Sequence, residues 1–207
     1  MPKVSPQYRD ERRAHILAAA RRCFVRNGFH QTSMQDLVHE AGMSSGAVYR
    51  YFDSKDALIV AIAEENLDQV VTTVRESIRQ GAAVGAALAS ALEYVGARHA
   101  EEGFGAIALL VWSEALRNPA LATRLRESFE AATDALVEVG RVGWGTDTEV
   151  APEALANALL CVLPGYLLQL TIRGADAVST IPEALRALTP PNGADQQCAS
   201  TRQVTQR

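Results

Sequence analysis

The stretch TSMQDLVHEAGMSSGAVYRYFDSK, residues 32–55, decides how the rest of this 207-residue chain is interpreted. Its first half spaces apolar residues three and four positions apart, which places on one helix face Met34, Leu37, Val38 and Ala41. Gly42 lets the backbone leave that helix, and Ser44 or Ser45 can cap a second one. The second helix has its own apolar stripe, formed by Val48, Tyr51 and Phe52.

Two structures are compatible with this pair of helices. Capped helices joined by a short glycine-containing turn form a helix-turn-helix, whose second helix enters the major groove of DNA. The same pattern also fits an ordinary corner between two helices of a helical domain. Periodicity alone leaves both interpretations open.

The detailed order of residues from Gly28 to Leu58 favours the helix-turn-helix. This segment, G-F-x-x-T-S-M-x-D-L-x-x-x-A-G-M-S-x-G-x-V-Y-x-Y-F-x-S-K-x-x-L, resembles the DNA-binding domain of the TetR/AcrR family of one-component transcriptional regulators. The rest of the chain resembles that family only in its general layout. The resemblance therefore implies a DNA-binding head followed by a variable helical domain that binds a ligand and dimerises.

The charge distribution also separates a head from a body. The whole chain has a net charge of −4, which by itself argues against a nucleic-acid-binding protein. Residues 1–55, however, hold nine Lys or Arg against five Asp or Glu, whereas residues 56–207 hold eleven against nineteen. A basic head on an acidic body is expected if only the head contacts phosphate. An uneven but merely solvated surface is the alternative.

We predict an all-α fold, because no strand-type alternation or internal repeat occurs in the sequence. The predicted parts are a three-helix DNA-binding domain at residues 1–55, a helical ligand-binding and dimerisation domain at 56–189 and a mobile tail at 190–207. The most apolar run, Ala154 to Ile172, contains Asn157, Pro164 and Gln169. We interpret it as a helix that is buried on most sides and kinked at Pro164, with no membrane contact.

The cysteines and the N-terminus predict a cytoplasmic protein. Three cysteines without a CxxC spacing favour a reducing compartment. Cys23 and Cys161 fit small core residues, and a redox sensor is the lesser alternative. The N-terminal residues lack the apolar segment of a signal peptide.

Candidate DNA contacts cluster in the head. Ser33, with Thr32 beside it, can offer a hydroxyl and a helix N-terminus to a phosphate. The candidates for contacts to base edges lie on the second helix of the pair: Ser44, Ser45, Gly46, Ala47 and Arg50. Arg50 can read guanine or clamp a phosphate. The resemblance implies backbone contacts for Tyr49 and Lys55, and at Tyr51, where relatives often have histidine, it leaves phosphate contact and packing open.

The body is expected to dimerise and to bind a ligand. The resemblance implies a four-helix seam built from helices at about 119–142 and 152–173 of each subunit. Seam or core positions there are Leu121, Leu125, Phe129, Ala132, Leu136, Leu159, Leu163, Tyr166 and Leu170. Candidate residues for a pocket that takes an apolar or amphipathic effector are Tyr94, His99, Phe104, Leu109, Trp112, Glu114, Phe129, Tyr166 and Gln169. The same residues also fit an ordinary core.

The sequence offers no basis for catalysis. His39-Glu40 does not continue into the HExxH zinc motif, and no GxSxG, P-loop or dinucleotide fingerprint is present. We therefore predict no enzyme activity, no metal and no cofactor. The predicted function is a homodimeric repressor that binds a palindromic double-stranded DNA operator and is released by a small molecule. The alternative is a helical nucleoid-type protein that binds DNA without reading its sequence.

Overall fold

A computed structural model describes residues 5–143 and 151–188 of the chain. Within these ranges the chain forms nine α-helices and one short 3₁₀ helix, with no strand, which confirms the predicted all-α fold. The elements in chain order are α1 (Pro6–Gln31), α2 (Met34–Glu40), α3 (Ser45–Tyr49), α4 (Lys55–Arg79), α5 (Val84–Glu102), α6 (Phe104–Ala115), α7 (Pro119–Gly143), α8 (Pro152–Arg173), the 3₁₀ helix (Ala175–Val178) and α9 (Ile181–Leu188). The predicted tail at 190–207 and Cys198 lie outside the described residues.

Polar side chains cap four of the helices. Each capping oxygen accepts a hydrogen bond, 3.1 to 3.3 Å long, from the backbone N–H three residues further on. The caps are Ser33 for α2, Ser44 for α3, Ser54 for α4 and Asn118 for α7. Local side-chain chemistry therefore fixes where these helices begin.

One predicted helix end is wrong. The first helix itself is broken at Gly28, where φ is 76°, and a short helical stretch follows the break as far as Gln31. The recognition helix was expected to include Tyr51 and Phe52, but α3 ends at Tyr49. Phe52 still reaches the core from the following turn, and a buried side chain can keep the helical spacing in sequence without being in a helix.

The chain separates into two compact units by its internal contacts. The first consists of residues 1–69 and 95–132, and the second of residues 70–94 and 133–207. Three long helices, α4, α5 and α7, contribute to both units. The sequence-based boundary at residue 55 stays a prediction.

The first unit has a continuous apolar core under the helix-turn-helix. Side chains from α1, α2, α4 and α6 meet there, among them Phe24, Leu37, Leu58, Ile62 and Ile107. A buried arginine links two of these helices. The Arg21 guanidinium on α1 donates to Glu65 Oε2 at 2.9 Å and to Asn66 Oδ1 at 3.2 Å, both on α4. Arg21 and Asn66 are each 8% exposed, so α1 is tied to α4 by an ion pair that is largely shielded from water.

In the second unit, α8 is less buried than the sequence suggests. Only 39% of its most apolar window is buried, so the prediction of a helix buried on most sides is wrong. One face carries buried residues such as Leu159, Leu163 and Leu170. The opposite face exposes an apolar stripe at a spacing of three and four residues, which consists of Cys161, Gly165, Leu168 and Ile172.

The exposed stripe on α8 corrects one further expectation. Cys161 is exposed, whereas Cys23 is buried as predicted. Eight of the nine proposed seam or core positions are buried within the single chain, and Phe129 is half-buried. The buried eight are therefore core positions. By length and composition α8 could also cross a membrane, a test that core helices of soluble proteins pass as well.

Candidate nucleic-acid interface

The start of α2 is fixed by hydrogen bonds between Ser33, which precedes the helix, and Asp36 in its first turn. Ser33 and Asp36 cap each other, because the Ser33 backbone N–H donates to Asp36 Oδ2 at 2.8 Å and the Asp36 N–H donates back to the Ser33 hydroxyl. Hydrogen bonds from the Ser33 N–H and hydroxyl hold the pKa of Asp36 below its ordinary value. A carboxylate thus already occupies the N-terminus of α2, where a phosphate was expected.

Thr32 corrects a predicted DNA contact. Its side chain is 1% exposed, and its hydroxyl donates to the backbone carbonyl of Gly28 at 2.8 Å. The hydroxyl thus satisfies a carbonyl at the break in α1 and is not available to a phosphate. Thr32 positions the turn, whereas the neighbouring Ser33 remains exposed.

The turn between α2 and α3 sets the orientation of α3, the recognition helix. Gly42 has φ of 60°, a left-handed conformation that glycine adopts without strain, and it ends α2 as predicted. His15 on α1 lies 2.8 Å from the Ala41 carbonyl, measured from its ring Nε2. Val48 is fully buried in the first unit's core. These anchors hold α3 so that its other face points to solvent.

The exposed side of α3 carries most of the predicted base-reading residues. Ser44, Ser45, Gly46 and Arg50 are exposed, and Ala47 is half-buried. Arg50 is the C-cap of the short helix, so its side chain leaves from the end of α3. A Cβ at Gly46 would meet no atom within 4 Å, so this position is open. Tyr49 is 49% exposed and available for contact.

A surface concavity beside α3 also includes residues from the start of α1. It has a volume of about 530 Å³ and is lined by Tyr8, Arg12, Gly42, Met43, Ser44, Gly46, Ala47, Arg50 and Tyr51. Tyr51 also packs against the core, so both packing and DNA contact are compatible with its position. The sequence predicts that some arginines on the outer side of α1, Arg12 among them, lie near phosphates, whereas Tyr8 was missed. The spacing of four residues, which places the Tyr8 ring beside Arg12 on one helix face, was the available signal.

Lys55 is held close to the protein surface. Its Nζ donates to the Phe29 carbonyl at 2.9 Å and lies 4.7 Å from the centre of the Phe29 ring. The ammonium group therefore sits beside the end of α1 at the start of α4. A phosphate contact through Lys55, which the resemblance implies, stays a prediction.

Ion pairs divide the arginines of α1 into two groups. Arg22 and Arg26 both bond the Glu40 carboxylate, at 2.7 and 3.0 Å, and these hydrogen bonds lower the pKa of Glu40. Arg21 pairs with Glu65, as described above. For Arg9, Arg12 and Arg13, no carboxylate partner is found among residues 5–143 and 151–188. The unpaired positive charge of α1 thus lies in its first two turns.

The predicted ligand residues divide between the two units. The first unit contains six of them: His99, Phe104, Leu109, Trp112, Glu114 and Phe129. The second contains Tyr94, Tyr166 and Gln169. None of the nine lines the concavity beside α3 or a polar groove of about 340 Å³ between α4 and α7. The effector pocket therefore stays a prediction.

Several of these candidates have structural partners. Glu114 lies 3.0 Å from His30. His99 accepts a hydrogen bond on Nδ1 from the Gly105 backbone N–H at 3.1 Å, and burial lowers the pKa of its ring. Gln169 is exposed and accepts a hydrogen bond from Arg173. Phe104 and Tyr166 are buried, so they line a cavity only if the surrounding packing opens.

A capped helix pair with an exposed second helix defines a helix-turn-helix protein, and comparisons with known proteins agree. Residues 16–62 match the family described as bacterial regulatory proteins, tetR family. UidR of Escherichia coli strain K12, an HTH-type transcriptional regulator, is 30% identical over 182 residues, which cover 85% of this chain and 90% of UidR. This chain belongs to the TetR family of bacterial regulatory proteins.

Two further relatives show how much of the chain the similarity covers. The solved structure of Salmonella enterica GusR superposes with a TM-score of 0.70 at 29% identity, over 90% of this chain and 96% of the GusR chain. YfiR of Bacillus subtilis strain 168, also an HTH-type regulator, is 46% identical over 68 residues, so the chain spans only 33% of YfiR. The prediction that this chain is not an enzyme is confirmed by its family, whose members are transcriptional regulators.

Proposed function

We propose that this chain is a ligand-responsive repressor that binds a palindromic operator as a homodimer and is released by a small molecule. The exposed face of α3 carries the proposal, because Ser45, Gly46 and Arg50 are presented to solvent by a helix that buried anchors hold in place. A helix presented in this way fits the major groove. We further propose a cytoplasmic location and a DNA-binding domain that ends at residue 55.

Selection of bound duplexes from a random library tests the function. Two recognition helices should enrich a palindrome whose half-sites lie about 34 Å apart, or a multiple of that distance. The enriched duplex should bind about 10³-fold or more tightly than random DNA at physiological salt. Equal affinity for the two would support the nucleoid-type alternative.

Replacing Arg50 with alanine tests how this side chain contributes. If its guanidinium reads a guanine, Arg50→Ala should relax the preference at one position per half-site by about 1–3 kcal/mol. Sequencing of the duplexes that the variant selects measures this effect. Arg9→Ala removes the same charge from an exposed position of α1 and should leave the selected sequence unchanged. Uniform weakening on all duplexes would assign Arg50 to the DNA backbone.

The apolar stripe on α8 supports the proposed homodimer. Leu168 is 43% exposed and Ile172 is 71% exposed, so a single chain leaves large aliphatic side chains in water along one helix face. Covering such a face against a second copy removes that apolar surface from solvent. Because the core-facing side of α8 is already occupied, the seam would use this opposite side.

A charge placed on the stripe should separate the subunits. Ile172→Asp buries a carboxylate in the proposed seam, so sedimentation equilibrium should show a shift from dimer to monomer. Leu116→Asp is the matched control, since Leu116 is 89% exposed but lies outside α8. Loss of the dimer in the control alone, or a monomeric wild-type protein, would contradict the proposed seam.

An apolar or amphipathic effector is proposed to bind among the aromatic side chains of the body. Continuity of α4 from Lys55 to Arg79 supports a route to the head, because this one helix begins shortly after the helix-turn-helix and extends into the second unit. Effector binding would favour a conformation of α4 in which the heads no longer fit both half-sites. A ligand that saturates the body and leaves operator affinity unchanged would refute this mechanism.

A further inference from the structure

We infer that Tyr8 and Arg12 of α1 form a clamp for one phosphate group of the DNA strand that passes beside α3. This inference rests on the proposed DNA-binding function and adds a second helix to the contact surface. The clamp lies at the start of α1, outside the two helices of the helix-turn-helix.

The two side chains fix each other. Arg12 Nε donates to the Tyr8 hydroxyl at 3.0 Å, and the Arg12 guanidinium carbon lies 5.0 Å from the centre of the Tyr8 ring. The hydrogen bond and the cation–π contact restrict a side chain that is otherwise flexible, so less entropy is lost when it binds a ligand. No partner within the described part of the chain occupies the terminal Nη groups of Arg12.

The clamp faces a site that suits an anion. Arg12 and Arg50 are the two charged residues of the concavity of about 530 Å³, and no carboxylate belongs to its lining. The Tyr8 hydroxyl accepts from Arg12 and can still donate its own proton. Guanidinium and hydroxyl donors that converge without an acid nearby match the oxygens of a phosphate.

Other arginines of α1 do not share this arrangement. Arg22 and Arg26 are bound to Glu40, and Arg21 is buried against Glu65. Arg9 and Arg13 are exposed but do not line the concavity, and the Arg13 guanidinium carbon instead lies 5.6 Å from the centre of the Phe52 ring. Arg12 therefore combines an unpaired charge, a fixed orientation and a position beside α3.

The test measures DNA affinity of full-length variants as a function of salt, on a duplex selected by the wild-type protein. Arg12→Gln should weaken binding about tenfold for each subunit of the bound homodimer, as for the loss of one hydrogen bond to a charged group. It should also reduce the slope of log affinity against log salt by about 0.9 per subunit, roughly 1.8 for the dimer, because each subunit loses one phosphate contact. Tyr8→Phe keeps the ring but frees Arg12, and should weaken binding roughly threefold per subunit with the slope retained.

Arg9→Gln is the matched control, because it removes one charge from the same helix outside the concavity. It should leave both affinity and slope nearly unchanged, and an effect as large as that of Arg12→Gln would overturn the clamp. A wild-type slope for Arg12→Gln would overturn the clamp while the proposed function stands. If the wild-type protein selects and binds no duplex, both fail together.

A competition with inorganic phosphate at constant ionic strength separates a DNA phosphate from a free anion. The clamp predicts that millimolar phosphate displaces DNA no better from the wild type than from Arg12→Gln. Binding of phosphate in the absence of DNA that Arg12→Gln abolishes, with DNA affinity unaffected, would overturn the assignment to DNA. Thermal melting of all variants should be close to that of the wild type, since Tyr8 is 45% exposed, Arg12 is half-buried and neither side chain belongs to the apolar core.

Discussion

Replacing Arg21 with methionine is expected to lower the free energy of unfolding by about 2–3 kcal/mol. The variant keeps the aliphatic stem but removes the donor for Glu65 and Asn66, so the Glu65 carboxylate is left facing the core without its cation. Loss of one partner of a fully buried pair costs about 3–5 kcal/mol, and the 31% exposure of the Glu65 side chain reduces that cost. Denaturant unfolding at fixed protein concentration measures the change.

Arg22→Met provides a control one residue along the same helix. The Arg22 side chain is 53% exposed, and its partner Glu40 is also held by Arg26. An exposed ion pair of this kind contributes about 0–1 kcal/mol. If Arg21→Met and Arg22→Met lower the free energy of unfolding equally, burial does not account for the contribution of the Arg21–Glu65 ion pair to stability.

Gly103→Ala should destabilise the first unit by about 2–3 kcal/mol. Gly103 has φ of 68°, and a Cβ there would lie 2.8 Å from Cγ2 of Val25. A left-handed alanine costs about 1–2 kcal/mol, and the clash adds to that because a valine side chain on a helix has few other rotamers. The midpoint and slope of denaturant unfolding will show the loss.

Two further variants separate the causes of this effect. Val25→Ala combined with Gly103→Ala should recover the part due to the clash and keep the part due to the backbone. Gly46→Ala should be neutral or slightly stabilising, because nothing lies within 4 Å of its Cβ position and alanine favours a helix. Equal stability of the Gly46 and Gly103 alanine variants would contradict the close approach seen at Val25.

Helix starts could be predicted from the sequence because they depend on local chemistry. Ser33 and Ser44 cap the two helices of the predicted pair, and α7 and α8 begin at Pro119 and Pro152, where helices were predicted from about residues 119 and 152. The capping oxygen and the N–H that it binds are three residues apart, so a short window of sequence contains the whole interaction.

The end of α3 and the exposed side of α8 depend on distant parts of the fold, and both were predicted wrongly. Tyr51 and Phe52 keep the spacing of a helix although the backbone has already turned, because the core attracts apolar side chains whatever the backbone conformation. On α8 almost every face is apolar, so periodicity could not show that Cys161 lies outside.

The candidate site was predicted in part. The exposed positions of α3 followed from the helix-turn-helix pattern, but burial of Thr32 depends on the break in α1. Tyr8 was missed, and Arg12 could not be distinguished from the other arginines of α1, because their place beside α3 results from packing between α1 and the helix pair, not from the segment that carries the motif.

The open space around Gly46 has a consequence for how this protein can change over evolution. New side chains at this position extend into solvent from the recognition helix and require no rearrangement of the core beneath it. Under the proposed function, substitutions there should alter the preferred operator while the protein keeps its stability. Position 46 is therefore where we expect variants with a different set of target promoters to arise most easily.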